Sequence, residues 1–217
     1  MNLVTFLVDG FNLYHSVRSA GKTLGLSTKW LDIKRLCSSY LHLVANAVGD
    51  KTQLANIYYF SALATHIEAV DPDVTVRHRR FIKCLEDTGV KVELSRFKPR
   101  QVKCPEPKCG KIFFKHEEKE TDVAIALKLL EVFLRNECDT AVLVTGDTDL
   151  APAVRTAMSL FPNKRVLFAF PYHRKNKELS KLAPGSFTMD KSQYARYQFQ
   201  NPCILSDGTA IGKPPSW

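Results

Sequence analysis

Short apolar, β-like runs alternate with segments able to form helices through most of this chain, and two of those runs end in acidic turns. Residues 3–8 lead into Val8-Asp9-Gly10-Phe11-Asn12, and residues 140–144 lead into Thr145-Gly146-Asp147-Thr148-Asp149. Repeated strand–helix units imply parallel strands, because a parallel return needs a crossover and the crossovers cover both faces of the sheet. All strand C-termini then lie along one edge, where residues just beyond them line a ligand crevice. Asp9, Asp147 and Asp149 are expected to converge there. The expected fold is a three-layer α/β/α, Rossmann-like domain with a central, mainly parallel sheet.

The elements follow from local signals. Residues 12–20 read as a short helix, and Asp32 as the cap of another, with Ile33, Leu36, Cys37, Tyr40, Leu41 and Val44 at helical spacing. Residues 54–62 read as a buried strand, and Asp71-Pro72 as the cap and first-turn proline of a helix that runs to about Asp87. Residues 90–97, 141–144, 166–170 and 187–189 are further strands, with helices at 150–160 and 175–182. The strongest helix covers 120–135, with Val123, Ala126, Leu127, Leu130 and Leu134 as its apolar stripe. Residues 98–118 break the rhythm with Pro99, Pro105, Pro107, many lysines and a cysteine pair, and read as an insertion or hairpin. Beyond about Tyr194 periodicity fades, and Gly208, Gly212, Pro214 and Pro215 suggest a loose tail. The expected domain is 1–192, with the basic insertion at 98–118 and the tail at 193–217.

With 217 residues, 45% of them hydrophobic, the chain can bury a real core. No apolar run approaches the roughly 20 residues needed to span a bilayer. Asp9 interrupts the first apolar run too early for a secretion signal, so a cytoplasmic protein without a membrane partner is expected. The 31 basic and 22 acidic residues leave a net charge of +9, which favours polyanionic partners without choosing among them. The cations cluster: residues 96–119 hold eight Lys/Arg against three Glu, and Arg77, Arg79, Arg80 and Lys83 form a second group. Arg174, Lys175, Lys177 and Lys181 form a third. Each group is equally readable as a solvated surface.

Taken singly, the aspartates have plain explanations. Asp9 precedes a glycine turn, Asp147 and Asp149 suit a helix cap, and Asp122 sits where a helix dipole favours a carboxylate. Together they are harder to dismiss. Two unit charges roughly 4 Å apart repel by about 4 kcal/mol at an effective dielectric of about 20. Raised pKa values would offset this, but Mg²⁺ or Mn²⁺ fits an oxygen-only ligand set better. Asn12 and Thr145 add neutral oxygens suited to orienting a phosphate or a water.

Three motifs in this order, Asp9-Gly-Phe-Asn12, Glu118-Lys-Glu-Thr-Asp122-Val-Ala-Ile-Ala and Thr145-Gly-Asp147-Thr-Asp149-Leu, resemble the NYN domain family. These are PIN-like ribonucleases whose bacterial branch includes LabA-like and DUF88 proteins. The resemblance spans about residues 2–189. It implies a PIN-like fold and a Mg²⁺- or Mn²⁺-dependent ribonuclease site with Asp9, Asp122, Asp147 and Asp149 at the metal. Asn12 and Thr145 stand beside them as further catalytic candidates. Arg77, Arg80, Arg96, Lys98, Arg100, Lys119 and Arg174 are the candidates for holding the RNA backbone, largely independent of sequence. Many relatives carry another aspartate two turns into the second motif's helix, where this chain has Lys128. A non-catalytic RNA-binding or regulatory module is therefore the first alternative. A metal-dependent nucleotidase or phosphatase using the same acidic edge is the second.

Of six cysteines, Cys37, Cys84 and Cys138 sit in helical or apolar contexts that suit buried thiols. Cys104-Pro-Glu-Pro-Lys-Cys109-Gly looks like half of a structural zinc site. His116 is a candidate third ligand, with His78, Cys84, His173 or a partner subunit as sources of the fourth. The plain alternative is an exposed loop with free thiols. PIN-like domains often pair, and a zinc shared between subunits would require a homodimer. Tyr14, His15, Tyr172 and His173 are expected near the acidic edge, where their rings would either stack on unpaired bases or pack in the core.

Overall fold

The computed structural model describes residues 1–106 and 108–217; Pro107, one of the prolines of the expected insertion, lies outside the described residues. The strands of the main sheet are β1 (Asn2–Asp9), β2 (Thr52–Ala62), β3 (Lys91–Lys103), β4 (Ile112–Lys119), β5 (Thr140–Val144), β6 (Arg165–Phe170) and β7 (Ser186–Thr188), and β8 (Cys203–Ile204) and β9 (Ala210–Ile211) form a separate antiparallel pair. The helices are α1 (Gly10–Leu24), α2 (Ile33–Ser39), α3 (Leu41–Val48), α4 (Val74–Asp87), α5 (Thr121–Leu134), α6 (Ala151–Leu160), α7 (Lys177–Leu182) and α8 (Lys191–Arg196). The main sheet runs in the order β4-β3-β2-β1-β5-β6-β7, parallel throughout except for the antiparallel β3–β4 pair. Chain order moves outward from β1 to one side through β2 and β3, then to the other through β5, β6 and β7. The reversal falls between β1 and β5, the position at which open α/β sheets form their crevice.

Period-two alternation divides the side chains of the central strands between two cores. Phe6, Val8, Val142, Val144, Leu167 and Ala169 face the layer containing α1 to α4, against Leu13, Val17, Leu36, Val44 and Leu85. Leu7, Ala141, Leu143, Val166, Phe168 and Phe170 face α5 to α7, against Ile125, Leu129, Val132, Val154 and Leu179. Burying each large apolar side chain contributes roughly 1.5–3 kcal/mol, so the central strands have little freedom to slip in register. The three-layer α/β/α architecture with a mainly parallel sheet is thus the one expected.

Three local expectations change. The helix expected after Asp32 is two helices, broken at Tyr40, although Asp32 does cap the first by accepting from the Arg35 N–H at 2.9 Å. Asp71 does not cap α4; its carboxylate takes a two-pronged contact from Arg77 instead. On α5 the apolar stripe turns outward. Val123 and Leu127 are each 63% exposed and Leu134 76%, while Ile125, Leu129, Val132 and Phe133 are buried. The helix is apolar on more than one face, and Asp122 shares a face with Ile125 and Leu129 by helical spacing. Only the observed rotation buries that face and keeps Asp122 at the edge of the sheet.

Residues 98–118 form most of an antiparallel hairpin. β3 pairs with β2 only over Lys91–Ser95, and from Arg96 (opposite Lys119) to Lys103 (opposite Ile112) its partner is β4. That two-stranded stretch makes an arm of roughly 25 Å at about 3.3 Å per residue.

The segment beyond Tyr194, expected to be loose, is anchored. Phe199 N–H donates to the Trp30 carbonyl at 2.8 Å, Trp30 Nε1 donates to the Gln200 carbonyl at 3.2 Å, and Cys203 and Ile211 join the first core. Trp217 stands with its ring centre 6.1 Å from that of Trp30 and 5.5 Å from that of Phe81. These are isolated anchors along an irregular path, a pattern that produces no periodicity in sequence. Trp217→Ala is expected to lower stability by roughly 1–3 kcal/mol, less than a fully buried tryptophan would, as read from the urea-denaturation midpoint. An unchanged midpoint would show that the anchoring contributes nothing.

Candidate active site

Asp9 ends β1 and caps α1 in one stroke. Its Oδ1 accepts the Asn12 N–H at 2.9 Å, and its Oδ2 accepts Asn12 Nδ2 and the Thr145 hydroxyl, each at 2.9 Å. The register explains the last contact: Val8 lies opposite Val144, so Asp9 and Thr145 leave neighbouring strands side by side. Asp9 is only 3% exposed. Burial holds its carboxyl above the ordinary carboxylate range, the three hydrogen bonds oppose that rise, and the charge of Asp147 adds to it.

Two glycines let these turns approach one another. A Cβ on Gly10 would strike the Phe60 carbonyl oxygen and the Tyr59 ring, so α1 starts hard against β2. A Cβ on Gly146 would strike the Arg174 carbonyl oxygen, so the loop after β6 lies directly on the loop after β5. Gly146 N–H donates to Asn12 Oδ1 at 3.3 Å, which joins the first and third motifs. Thr145 Oγ1 accepts the Asp147 N–H at 3.1 Å, and Asp147 Oδ1 accepts the Asp149 N–H at 3.0 Å.

Asp122 enters from the first turn of α5. It is half-buried, and its pKa is pushed up to about 6, first by burial and then by the charges of Asp147, Asp9 and Asp149. Glu118, next to last in β4, opens the second motif and adds a carboxylate to the site beyond those expected from the sequence. It accepts the Thr121 hydroxyl at 2.6 Å, and burial, followed by Asp9 and Asp122, raises its pKa against that hydrogen bond. Asp9, Asn12, Glu118, Asp122 and Asp147 line one cleft of about 450 Å³, whose wall also carries Phe11, half-exposed and equally unremarked in the sequence. Asp149 is exposed outside that lining, with its charge felt at Asp122. A cleft of about 530 Å³ at the other end of α1, beside Arg18, Lys29 and Trp217, is somewhat larger but holds no carboxylate side chain, so its size alone does not make it the reactive site.

The donor set at the acidic cleft is all oxygen, which fits a hard divalent cation. Among the described residues, no three His, Cys, Asp or Glu side chains stand close enough to enclose an ion directly. Mg²⁺ commonly keeps several waters and takes only one or two carboxylates, so the carboxylates of the cleft fit a largely hydrated ion.

The basic residues divide. On the hairpin, Arg96 pairs with Glu120 at 2.6 Å, Arg100 and Lys119 with Glu117 at 3.1 and 3.0 Å, and Lys98 lies 3.8 Å from Glu120. Arg174 lies against Gly146 through its backbone, and its charge reaches His15, whose pKa is lowered first by burial and then by Arg174 and Arg18. Arg77 makes a two-pronged contact with Asp71, and Arg80 is exposed on α4. Lys128 contacts Glu93 at 3.0 Å and Glu131 at 2.6 Å and lies over the Tyr58 ring. It forms a structural ion pair there. Of the aromatic candidates, Tyr14 is 40% exposed and bears Arg18 over its ring, and Tyr172 stacks on His173 with ring centres 3.8 Å apart. His116 is half-buried in the cleft wall, stacked on His66 at 4.3 Å.

An open, mainly parallel sheet with carboxylates gathered at its switch point defines a three-layer α/β domain with an acidic crevice. The profile of the NYN domain matches residues 4–190, and the chain belongs to that family. It is 28% identical over 171 residues to the 6-hydroxy-3-succinoylpyridine 3-monooxygenase HspA of Pseudomonas putida (strain DSM 28022 / S16). That match covers 68% of this chain and 53% of the relative, so the chain spans about half the length of the curated protein it matches. A crystal structure of a protein of unknown function from Vibrio parahaemolyticus RIMD 2210633 superposes with a TM-score of 0.53. It covers 87% of this chain and 93% of that one at 20% identity, and shows the fold alone. Among the described residues, no helix is long and apolar enough to cross a membrane.

The raised Asp122 carboxyl gives a signed expectation for the cation-free protein. The folded state holds this proton up to about pH 6, whereas an unfolded aspartate releases it near 3.8. Its contribution therefore favours the fold most below the lower value and is lost as pH rises through the higher one. Asp122→Asn should stabilise the protein in EDTA at pH 7.5 by on the order of 1 kcal/mol, allowing for solvent screening of a half-exposed group, and should have little effect near pH 4. Thermal melts at the two pH values test this; no gain at pH 7.5 would contradict it.

Proposed function

We propose that this chain hydrolyses RNA phosphodiester bonds with a Mg²⁺ or Mn²⁺ ion held at the acidic cleft. The observation that carries the reading is the gathering of Asp9, Glu118, Asp122 and Asp147 in one cleft that opens at the root of a basic two-stranded arm. Membership of the NYN family supports it.

Asp9, Asp122, Asp147 and Asp149 would hold the ion, directly or through water, with Glu118 beside them. Bound there, it would neutralise charge on a phosphate and lower the pKa of an attacking water. The chain's own residues have distinct tasks. Asp9 is fixed in orientation by its three hydrogen bonds, so its carboxylate needs little reorganisation when charge develops nearby. Asn12 and Thr145 keep the turns after β1 and β5 in fixed relation. Asp122 and Glu118, raised by burial and by neighbouring aspartates, are groups whose ionisation a cation would favour.

Arg96, Lys98, Arg100 and Lys119 would guide the RNA backbone toward the cleft. Their present ion pairs are screened by solvent and hold them weakly, so a phosphate can compete for them. Such contacts position a strand without reading its sequence, and binding through them should weaken with salt.

The test is cleavage of a mixed RNA pool with Mg²⁺, Mn²⁺ or EDTA. Cleavage should need the metal, and Asp147→Asn should slow it by about a hundredfold or more, a loss of roughly 3 kcal/mol in barrier lowering. RNA binding with no cleavage in any metal would overturn the enzymatic reading in favour of a binding module. Phosphate release from nucleotides with RNA left intact would overturn the substrate. Lys128→Met should leave the cleavage rate within about threefold, because Lys128 pairs with Glu93 and Glu131. A large change in kcat would place Lys128 in the catalytic machinery.

A further inference from the structure

The tip of the β3–β4 arm holds a feature that RNA hydrolysis does not use. Cys104 opens the terminal turn and Cys109 closes it. Cys104 N–H donates to the Lys111 carbonyl across the mouth of the turn at 2.8 Å, and Cys109 N–H donates to the Glu106 carbonyl at 3.0 Å. Gly110 follows in the left-handed region at φ +61°, where a side chain would be strained. Both thiols are free and half-exposed, unlike the buried Cys37, Cys84, Cys138 and Cys203. The turn thus carries two soft ligands, five residues apart in sequence, at the far end of an arm.

A structural zinc ion takes four ligands in a tetrahedron, and one tip supplies two. The chain does not complete the set by itself. His116 lies five residues beyond Lys111 along β4, roughly 16 Å of strand, and its ring is stacked on His66. Among the described residues, no group of three His, Cys, Asp or Glu side chains forms around the pair.

We propose that the arm tips of two copies of this chain, each supplying Cys104 and Cys109, close a Cys₄ zinc site and join the copies into a dimer. Two further observations favour a second copy as the occupant. First, the charges complement the metal centre. Lys103, Lys108 and Lys111 outnumber Glu106 at each tip, so two bare tips would repel one another. One zinc ion with four thiolates has net charge −2, and it would sit among six ammonium groups of the paired tips. Second, the strand leaving each tip carries three successive exposed apolar side chains: Ile112 at 57%, Phe113 at 47% and Phe114 at 62% exposed. Paired arms would cover apolar surface immediately beside the metal. The same two ligands from each copy give a closed two-fold assembly, in which the axis passes through the ion and no open chain of molecules can grow.

Zinc binding would release the thiol protons to solvent, four for each ion, and needs no oxidant or reductant. The proposal does not rest on the nuclease reading, and its test does not use cleavage.

The test uses the full chain, reduced, stripped of metal and then titrated with Zn²⁺. Light scattering after size exclusion should show a monomer without metal and a dimer with it, and metal analysis of the dimer should give one zinc per two chains. Co²⁺ in place of zinc should give the visible bands of a tetrahedral thiolate site, saturating at the same ratio. Cys104→Ser combined with Cys109→Ser should abolish both the bands and the dimer while circular dichroism stays native; His116→Ala should keep them. One zinc per chain, a metal-independent dimer that survives in the double variant, or Co²⁺ bands absent from the reduced wild-type protein would each overturn the proposal. The bands read the metal site even if the double variant misfolds.

Discussion

A buried carboxylate has to be compensated, and the way Asp9 is compensated organises the whole crevice edge of this protein. Its oxygens need donors, and the donors come from the helix it caps and from the neighbouring strand. The first requires α1 to begin at once, which Gly10 permits by leaving room for β2. The second requires β1 and β5 to be adjacent and in register, which the two apolar cores enforce from either face. Displacing β5 by one residue would reverse its buried faces and remove Thr145 from reach of Asp9. Core packing and site geometry are thus one constraint.

The charge layout has a matching logic. A chain with a net charge of +9 concentrates carboxylates at one cleft and commits few cations to them. Lys128, on the same helix as Asp122, is directed to Glu93 and Glu131. The cations nearest the acidic cleft line its approach: Lys119 and Lys115 on its wall, then Arg96, Lys98 and Arg100 along the arm. Burial first, and then repulsion among the acids, raises the pKa values of Asp9, Glu118 and Asp122. Such an arrangement favours a cation inside and a polyanion at the rim.

What was readable in the sequence follows from how local each signal is. The alternation of strands and helices, the two acidic turns and the Asp122 helix are carried by patterns of a few residues, and the fold reproduces them. The rotation of α5 was not readable, because a helix with apolar residues on several faces gives no single stripe, and the sheet decides which face is buried. Glu118 was hidden for a related reason. A glutamate in a run of charges looks solvated until the end of β4 is seen to lead straight into the cleft. Anchoring of residues 197–217 depends on contacts with Trp30 and Phe81, far away in sequence, and no local pattern encodes it.

The rotation of α5 also has an effect on the outside of the molecule. Val123, Leu127 and Leu134 are spaced four and seven residues apart, and turning Asp122 toward the cleft puts all three in water on one flank of the helix. Polar substitutions there would remove no buried contact, so they would act on solubility and leave folding free energy nearly untouched. In this protein the helix that contributes an acid to the crevice also presents a greasy seam to its surroundings. Colloidal behaviour at high concentration is therefore tied to the orientation of a single aspartate.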